Sequence, residues 1–557
     1  MLLKKSVSLV LLLLLLALVL MWAQSTALPS LTGTRGGVLV SGPGYGRETE
    51  AVLDTTRARE ATSLPCAYSS LWGVAGEKWR PEERLPDFSY AGYHAGEARI
   101  PNPRARWNLK RDFHARGDGQ TDDTQALLNA IQAIKGGVLF IPKGTYVISK
   151  RIDITRGHLI LRGAGAKETV LYFPNSLTDL YGNTVNGAGQ SQWSFRPGLI
   201  NFTGKDPITA ETRMASVTAS AKRGERILKL SAPISIKRGE WLRLVESDPP
   251  KGNAASGSLI RYLYGDLMPP GPDLVGTPAV VRFLSRVKSV SGNRIELERA
   301  LPYDVRPEWT PEIHRFVPSV QELGVEHLSL HFPWTAYPGH FKEKGYNGLF
   351  FQDVSECWVN DVEIQNSDFG VDLNSTNFCT VSNVRLTTSV SRAEGALEAR
   401  GANGHHGIDV SHGTENLVTG FDVQTKLVHD ISVEWYALHT VFSKGRGVDL
   451  NMDHHREANY SSLFSQLDCG AGTRPFDSGG SGDRGAHAGA FNTYWNIRAA
   501  GPLRLPPADF GPLLNFIGLE TKGRDTESPY QWMIERVAPN GLCPAELQEA
   551  MRAKRLG

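Results

Sequence analysis

A repeat near 22 residues is the feature that most constrains this chain. The stretch "CWVNDVEIQNSDFGVDLNST" from Cys357 is followed by "CTVSNVRLTT" from Cys379 and "NLVTGFDVQT" from Asn416. Cys357 and Cys379 lie 22 residues apart, and so do Val362 and Val384. One coil of such alternating apolar and polar residues cannot bury its own apolar face. Copies stacked at about 4.8 Å bury a continuous core, so the period asks for a parallel solenoid of three short strands per coil. Cys357 and Cys379 then become stacked neighbours. They are expected as inward thiols, because adjacent parallel strands suit a disulfide poorly.

Three strand sets follow from that period. The first aligns Val362-Glu363-Ile364, Val384-Arg385-Leu386, Phe421-Asp422-Val423 and Val448-Asp449-Leu450. The second aligns "GVDLN" from Gly370, "GIDVS" from Gly407 and "DISVE" from Asp430, and the third includes Cys379, Leu417, His439 and Ser461. A rival register moves the "GVDLN" at Gly447 into the second set and stacks Asp372, Asp409 and Asp449, but it demands a 40-residue coil. The first register is preferred. In either one the middle residue of V-D-L points outward, so Asp372 and Asp409 are expected as stacked carboxylates on a solvent-facing strand. Their repulsion calls for a counter-cation, a raised pKa or a metal, for which Ca²⁺ is the candidate.

Upstream, "HARGDGQTDDTQALLNAI" runs from His114 to Ile131. Thr121 or Asp122 can cap a helix whose apolar residues Ala126, Leu127, Ala130, Ile131 and Ile134 fall at helical spacing. No distal Glu completes an EF-hand loop and no Gly-Lys-Ser/Thr completes a phosphate loop, so the acids are assigned to the helix terminus. Short β-runs then follow at 138–141, 145–148, 152–154, 159–161 and 170–173. Together "GDGQTDDTQALLNAI", "GGVLFIPKGTYVI" and "LILRGAGAKETVL" resemble the N-terminal signature of the pectate-lyase-like family of right-handed parallel β-helices. The resemblance implies an all-β fold, a right-handed single-stranded parallel β-helix with an N-terminal cap helix. It specifies no activity, because the family includes lyases, hydrolases and phage-type binding proteins.

The remaining segments set the expected layout. Residues 1–27 read as a secretory signal, with Lys4 and Lys5 ahead of an apolar run and Ala23 or Ala27 at the cleavage site. The protein is thus expected to be secreted or periplasmic, with no stable membrane insertion after cleavage. Residues 28–104 form an arm, loose at first and then rich in aromatics (Trp72, Trp79, Phe88, Tyr90, Tyr93), expected to pack over a hydrophobic end. Residues 105–204 carry the cap and first coils, 205–305 read as an inserted antiparallel β-subdomain, and 306–500 carry the later coils. In 501–557 a helix from Pro544 to Arg555 is expected to cover the last coil. Lys and Arg number 60 against 58 Asp and Glu, a balance that speaks against nucleic acid as the main partner. The five cysteines form no metal-site spacing, and a monomer is expected.

Histidines mark the functional face. Seven of the 15 lie between residues 405 and 455. His405 and His406 precede one second strand, His429 takes that place in the next, and Asp453, His454, His455 and Arg456 are expected at the same corner one coil on. An open, charged lateral face suits a long polymer, so the expected partner is a polysaccharide. β-Elimination on a uronate needs a neutralised carboxylate, a base for the C5 proton and an acid for the leaving oxygen. His406, His429, His454, His455 and Arg456 are the catalytic candidates for it, with His405, Asp409, Lys444, Arg446 and Arg474 binding substrate and Asp372 and Asp409 also candidates to hold a metal. A hydrolase would instead use a carboxylate pair drawn from Asp409, Asp449 and Asp453. A non-catalytic binding solenoid is the third reading, and it would not gather histidines on one edge.

Overall fold

Seven parallel strands, stacked one per coil, carry the face on which the candidate residues lie. In this computed structural model, which describes residues 65–206, 212–276, 281–393, 401–522 and 528–557, they are β1 (Ile152–Ile154), β2 (Ile200–Thr203), β3 (Asn347–Gln352), β4 (Phe369–Asn374), β5 (His406–Ser411), β6 (His429–Glu434) and β7 (Met452–His454). The signal segment lies outside the described residues. A second set of parallel strands closes around the other sides of the coils, and the protein is a parallel β-helix. No helix among the described residues is long and apolar enough to cross a membrane.

Alternation along β3 to β7 decides which side chain goes where. Leu349, Val371, Ile408, Ile431 and Met452 form one inward column, and Phe351, Leu373, Val410, Val433 and His454 form the next. Between them Phe350, Asp372, Asp409, Ser432 and Asp453 stack on the outward side. Asp453 and not Asp449 continues this column, so the rival register that stacks Asp449 with Asp372 and Asp409 is not the one adopted. In the neighbouring sheet, Asp422-Val423 pairs with Arg446-Gly447, so Val448-Asp449-Leu450 sits three residues beyond its expected place. In the third set Leu417 pairs with Thr380, one residue past Cys379.

The interior is filled by like on like. Phe442, Phe464, Tyr494 and Phe516 occupy one register column, and consecutive rings stack at 5.3, 5.4 and 4.9 Å. Cys357, Cys379 and Cys469 are buried free thiols. Each coil turns a corner through a residue with left-handed backbone, namely Glu356, Phe378, Glu415, His439 and Ser461, with φ between 50° and 59°. Side chains rarely tolerate that conformation, so these corners rely on the strands either side to hold them.

Helix α1 (Thr124–Ala133) buries Leu127, Ala130 and Ile131 in the same core as the first coils. The acids of the opening stretch serve the backbone there. Asp118 accepts from Gln120 N and Thr121 N, and Asp123 accepts from Arg116 N and Gly117 N. Between β2 and β3 the chain forms a six-stranded antiparallel sheet from Arg213–Ser216 to Glu312–Arg315. Its apolar side packs on Tyr436, Leu438, Ala458 and Tyr460 of the coils.

The arm and the C-terminal helix differ from expectation in place. Trp72, Phe88, Leu547 and Met551 pack together against Val441, Leu463, Trp495 and Ile517, so helix α2 (Leu547–Leu556) lies on the flank of the coils and not over the last one. The physical reason is the outward apolar row on those strands, which needs a cover. A disulfide joins Cys66 to Cys543, and Ala67–Tyr68 pairs with Leu542–Cys543.

His454 corrects a sequence expectation. Its strand position falls in an inward column, and the ring is buried against Phe464 and Phe510, bonded to Asn459 Oδ1 at 2.8 Å and Tyr494 Oη at 2.7 Å. It is a core residue with no route to substrate. Burial brings its pKa down to about 4. The unfolded chain therefore binds a proton that the native chain refuses. Stability from this group is intact above pH 6.5 and drains as pH falls toward 4. His454→Leu is expected to flatten the fall in Tm across that window by about one proton's worth of slope, measured by thermal melts at several pH values.

Candidate active site

Two loops roof the outward face of β3 to β6. One carries Ser194, Phe195 and Arg196 ahead of β2, and the other carries His340 and Glu343 ahead of β3. Under them Asp372 and Asp409 are buried although their strand points away from the core. Arg196 supplies the counter-cation. Its Nε donates to Asp372 Oδ2 at 2.7 Å, its terminal nitrogen donates to Ser411 Oγ at 2.5 Å, and Asp409 and Glu434 lie 3.9 and 4.0 Å away. The guanidinium thus lies against both of the carboxylates that were expected to hold a metal. One cation cannot balance three carboxylates. Burial, then Glu434 and Asp372 nearby, push Asp409 well above the usual range, and burial raises Glu434 as well.

Five imidazoles gather beside this group. His405 precedes β5, His406 opens it, His429 opens β6 in register with His406, and His455 follows β7. Ring centres of His406 and His429 lie 4.6 Å apart, those of His429 and His455 4.8 Å, and those of His340 and His405 4.6 Å. Asp453 binds two of them from behind. Its Oδ2 accepts from His455 Nδ1 at 2.9 Å and from Ser432 Oγ at 3.0 Å, and it lies 3.1 Å from His429 Nδ1. Burial alone would raise the Asp453 carboxyl, but His429 and His455 hold it well below its ordinary value. Burial likewise opposes charge on His455, yet Asp453 and Glu434 keep its pKa above that of a free imidazole. Burial and then the neighbouring rings depress His405 and His406 well below theirs.

Two openings reach this cluster. A cleft of about 730 Å³ is bounded by Arg196, His340, Glu434, Trp435, His455 and Arg484. A smaller one of about 210 Å³ is bounded by His340, Lys426, His429, Arg474 and Ser478. Glu434 is the carboxylate on the wall of the larger cleft, with Asp453 behind His455.

The other expected residues divide. Arg474 reaches the smaller cleft while its guanidinium is fixed to Asp430 Oδ2 at 2.6 Å. Asp449 lies beside it, accepting from Thr473 N at 2.8 Å and apart from the imidazoles, so it forms no pair with Asp409 or Asp453. Arg456 turns to Gly480 O and His487 Nε2, at the rim. Lys444 and Arg446 lie apart from the imidazoles. They belong to a different sheet, where Lys444 meets Glu549 of α2 and Arg446 pairs with Asp422 at 2.6 Å. Arg196, His340, Glu343, Glu434 and Arg484 were not among the expected residues. Four of them sit on segments outside the repeat, and Glu434 ends the aligned "DISVE".

Residues 107–204 match the family described as "Rhamnogalacturonase A/epimerase, pectate lyase-like". Over 74 residues, 12% of its length, the chain is 42% identical to alginate lyase 7 of Azotobacter vinelandii, 8% of that protein's length. Over 116 residues, 18% of its length, it is 31% identical to mannuronan C5-epimerase AlgE3 of the same organism, 6% of that protein's length. The chain thus spans a small part of these relatives. Among solved structures, the tailspike protein gp49 from Pseudomonas phage LKA1 aligns with a TM-score of 0.44 at 14% identity, over 70% of this chain and 59% of that one. Pectin methylesterase PemA from Erwinia chrysanthemi aligns with a TM-score of 0.30 at 10% identity, over 73% and 92%.

Proposed function

We propose that this protein is a polysaccharide lyase that opens a uronate-containing polymer by β-elimination. The observation that carries the reading is the wall of the larger cleft, which sets the Asp453-backed imidazole of His455 beside guanidinium groups and a single carboxylic acid, Glu434. Arg196 and Arg484 receive the uronate carboxylate and draw charge from it, which acidifies the C5 proton. His455 takes that proton, oriented by its bond to Asp453. The C5–H electrons become the C4=C5 double bond, the C4–O4 bond breaks, and O4 leaves with a proton from Glu434. A retaining or inverting hydrolase needs two carboxyl groups flanking one bond, an arrangement this wall lacks. The similarity to an alginate lyase and to a mannuronan C5-epimerase supports a uronate polymer as substrate.

The test offers the purified protein a panel of acidic and neutral polysaccharides in deuterated buffer. Ultraviolet absorbance of new double bonds rising in step with reducing ends is the expected result. Reducing ends without absorbance would make the enzyme a hydrolase. Deuterium entering C5 with neither signal would make it an epimerase that shares the proton abstraction and lacks the elimination.

A further inference from the structure

The rings of His340, His405 and His429 do more than line the cleft. One nitrogen from each lies within 4.8 Å of the other two. His405 Nδ1 donates to the Ser194 carbonyl at 2.9 Å, which fixes the tautomer and leaves Nε2 as an acceptor, bonded to His340 Nε2. That Nε2 stands 3.0 Å from His340 Nε2. His429 has Nδ1 at 3.1 Å from Asp453, and its Nε2 is buried with no hydrogen-bond partner. A buried, unpartnered ring nitrogen is a cost the fold carries unless something binds it.

From this we infer that His340, His405 and His429 bind one divalent transition ion of the Zn²⁺ class, with the fourth position open to the smaller cleft. Two imidazoles on a tetrahedral ion at about 2.0–2.1 Å stand about 3.3 Å apart, close to the spacing already set between His340 and His405. Three neutral nitrogens exclude Ca²⁺ and Mg²⁺, which take oxygen. Second partners are in place too. Ser194 O orients His405, Asp453 stands behind His429, and Glu343 Oε1 lies 3.5 Å from His405 Nδ1. Three protein ligands and one free position are the arrangement of a catalytic ion, not a structural one. Lys426, Arg474 and Ser478 border the free position, so its ligand would be an anionic oxygen, as on a carboxylate. The assignment goes beyond the lyase reading and does not depend on it, because a hydrolase on these coils would hold the same ion.

Among the described residues two other groups compete for it. His429, Asp453 and His455 share one ligand with the first, and His94, Glu322 and Glu356 form a separate half-buried cluster. The test uses the full chain without an affinity tag, stripped by chelator and titrated calorimetrically with ZnCl₂, with metal content read by mass spectrometry. One Zn²⁺ per chain is expected, with Co²⁺ giving the visible absorption of a tetrahedral nitrogen site and Ca²⁺ giving no heat. His340→Ala, on a loop at the edge of the cluster, should abolish binding and spare folding, as far-ultraviolet circular dichroism would register. Glu322→Gln should leave binding intact. The inference is overturned by absence of Zn²⁺ binding, by binding that survives His340→Ala, by loss on Glu322→Gln, or by loss on His455→Asn while His340→Ala still binds. Elimination without bound metal would leave the lyase reading standing, and one Zn²⁺ bound with no elimination would leave the ion site standing.

Discussion

His455→Asn is expected to cut kcat on the cleaved polymer by roughly 10²- to 10⁴-fold, the range a positioned proton-transfer group contributes. Asparagine preserves much of the shape and can still donate to Asp453 Oδ2, which His455 Nδ1 reaches at 2.9 Å. The carboxylate therefore keeps a partner, and the melting temperature should stay near that of the parent. KM should move little, because the guanidiniums of Arg196 and Arg484 that receive the uronate are untouched. Steady-state kinetics on the polymer identified by the panel read the result directly. A variant within a few-fold of the parent would place the base elsewhere on the cleft wall and remove His455 from the mechanism.

Arg392→Met should be the most damaging single change to stability, at about 3–5 kcal/mol. The guanidinium is wholly buried. It donates to Asp368 Oδ1 at 2.7 Å, Ser367 O at 2.7 Å, Asn403 O at 3.0 Å and Thr335 O at 2.9 Å. Without it Asp368 keeps only the amides of Gly345 and Tyr346, which its other oxygen accepts at 3.0 Å each. A buried carboxylate left in that state must take up a proton or force the loop from 335 to 345 to open, and that loop carries His340. The melting temperature should fall by several degrees, with hydrogen exchange rising first in this loop. Arg392→Met with Asp368→Leu should recover much of the loss, because replacing both members of a buried pair costs far less than removing one. A double variant as unstable as the single one would show that the four carbonyl and carboxylate bonds matter less than the volume of the side chain.

What could be read from the letters was whatever repeats. The stacking of Asp372 on Asp409 and of His406 on His429 follows from period and alternation, and both pairs are in register. The same logic misplaced Val448-Asp449-Leu450, because "GVDLN" recurs in a turn where Arg446-Gly447 takes the strand position. His454 and His455 look alike in sequence, yet one residue of alternation sends the first into the core and the second to the cleft. Arg196 and His340 were invisible for a different reason. They arrive on single-copy loops that cross the coils, and a periodic pattern carries no information about what lies over it. The exposure of Asp372 and Asp409 was misjudged on the same ground. Outward from the coil is not outward to water when a loop lies on top.

The Cys66–Cys543 bond and the flanking α2 helix change how such a molecule comes apart. A stack of coils that touch only their neighbours can open from either end, one rung at a time, like a zipper. Here the arm and the tail run along the side of the stack and are fastened to each other, so peeling the last rungs pulls on a clasp that also grips Val441, Leu463, Trp495 and Ile517 on four successive rungs. End-first fraying is thereby tied to the rungs beside the cleft. The described chain should resist exoproteolysis and piecemeal melting until the clasp is reduced, and should then lose its coils in sequence from the C-terminal side.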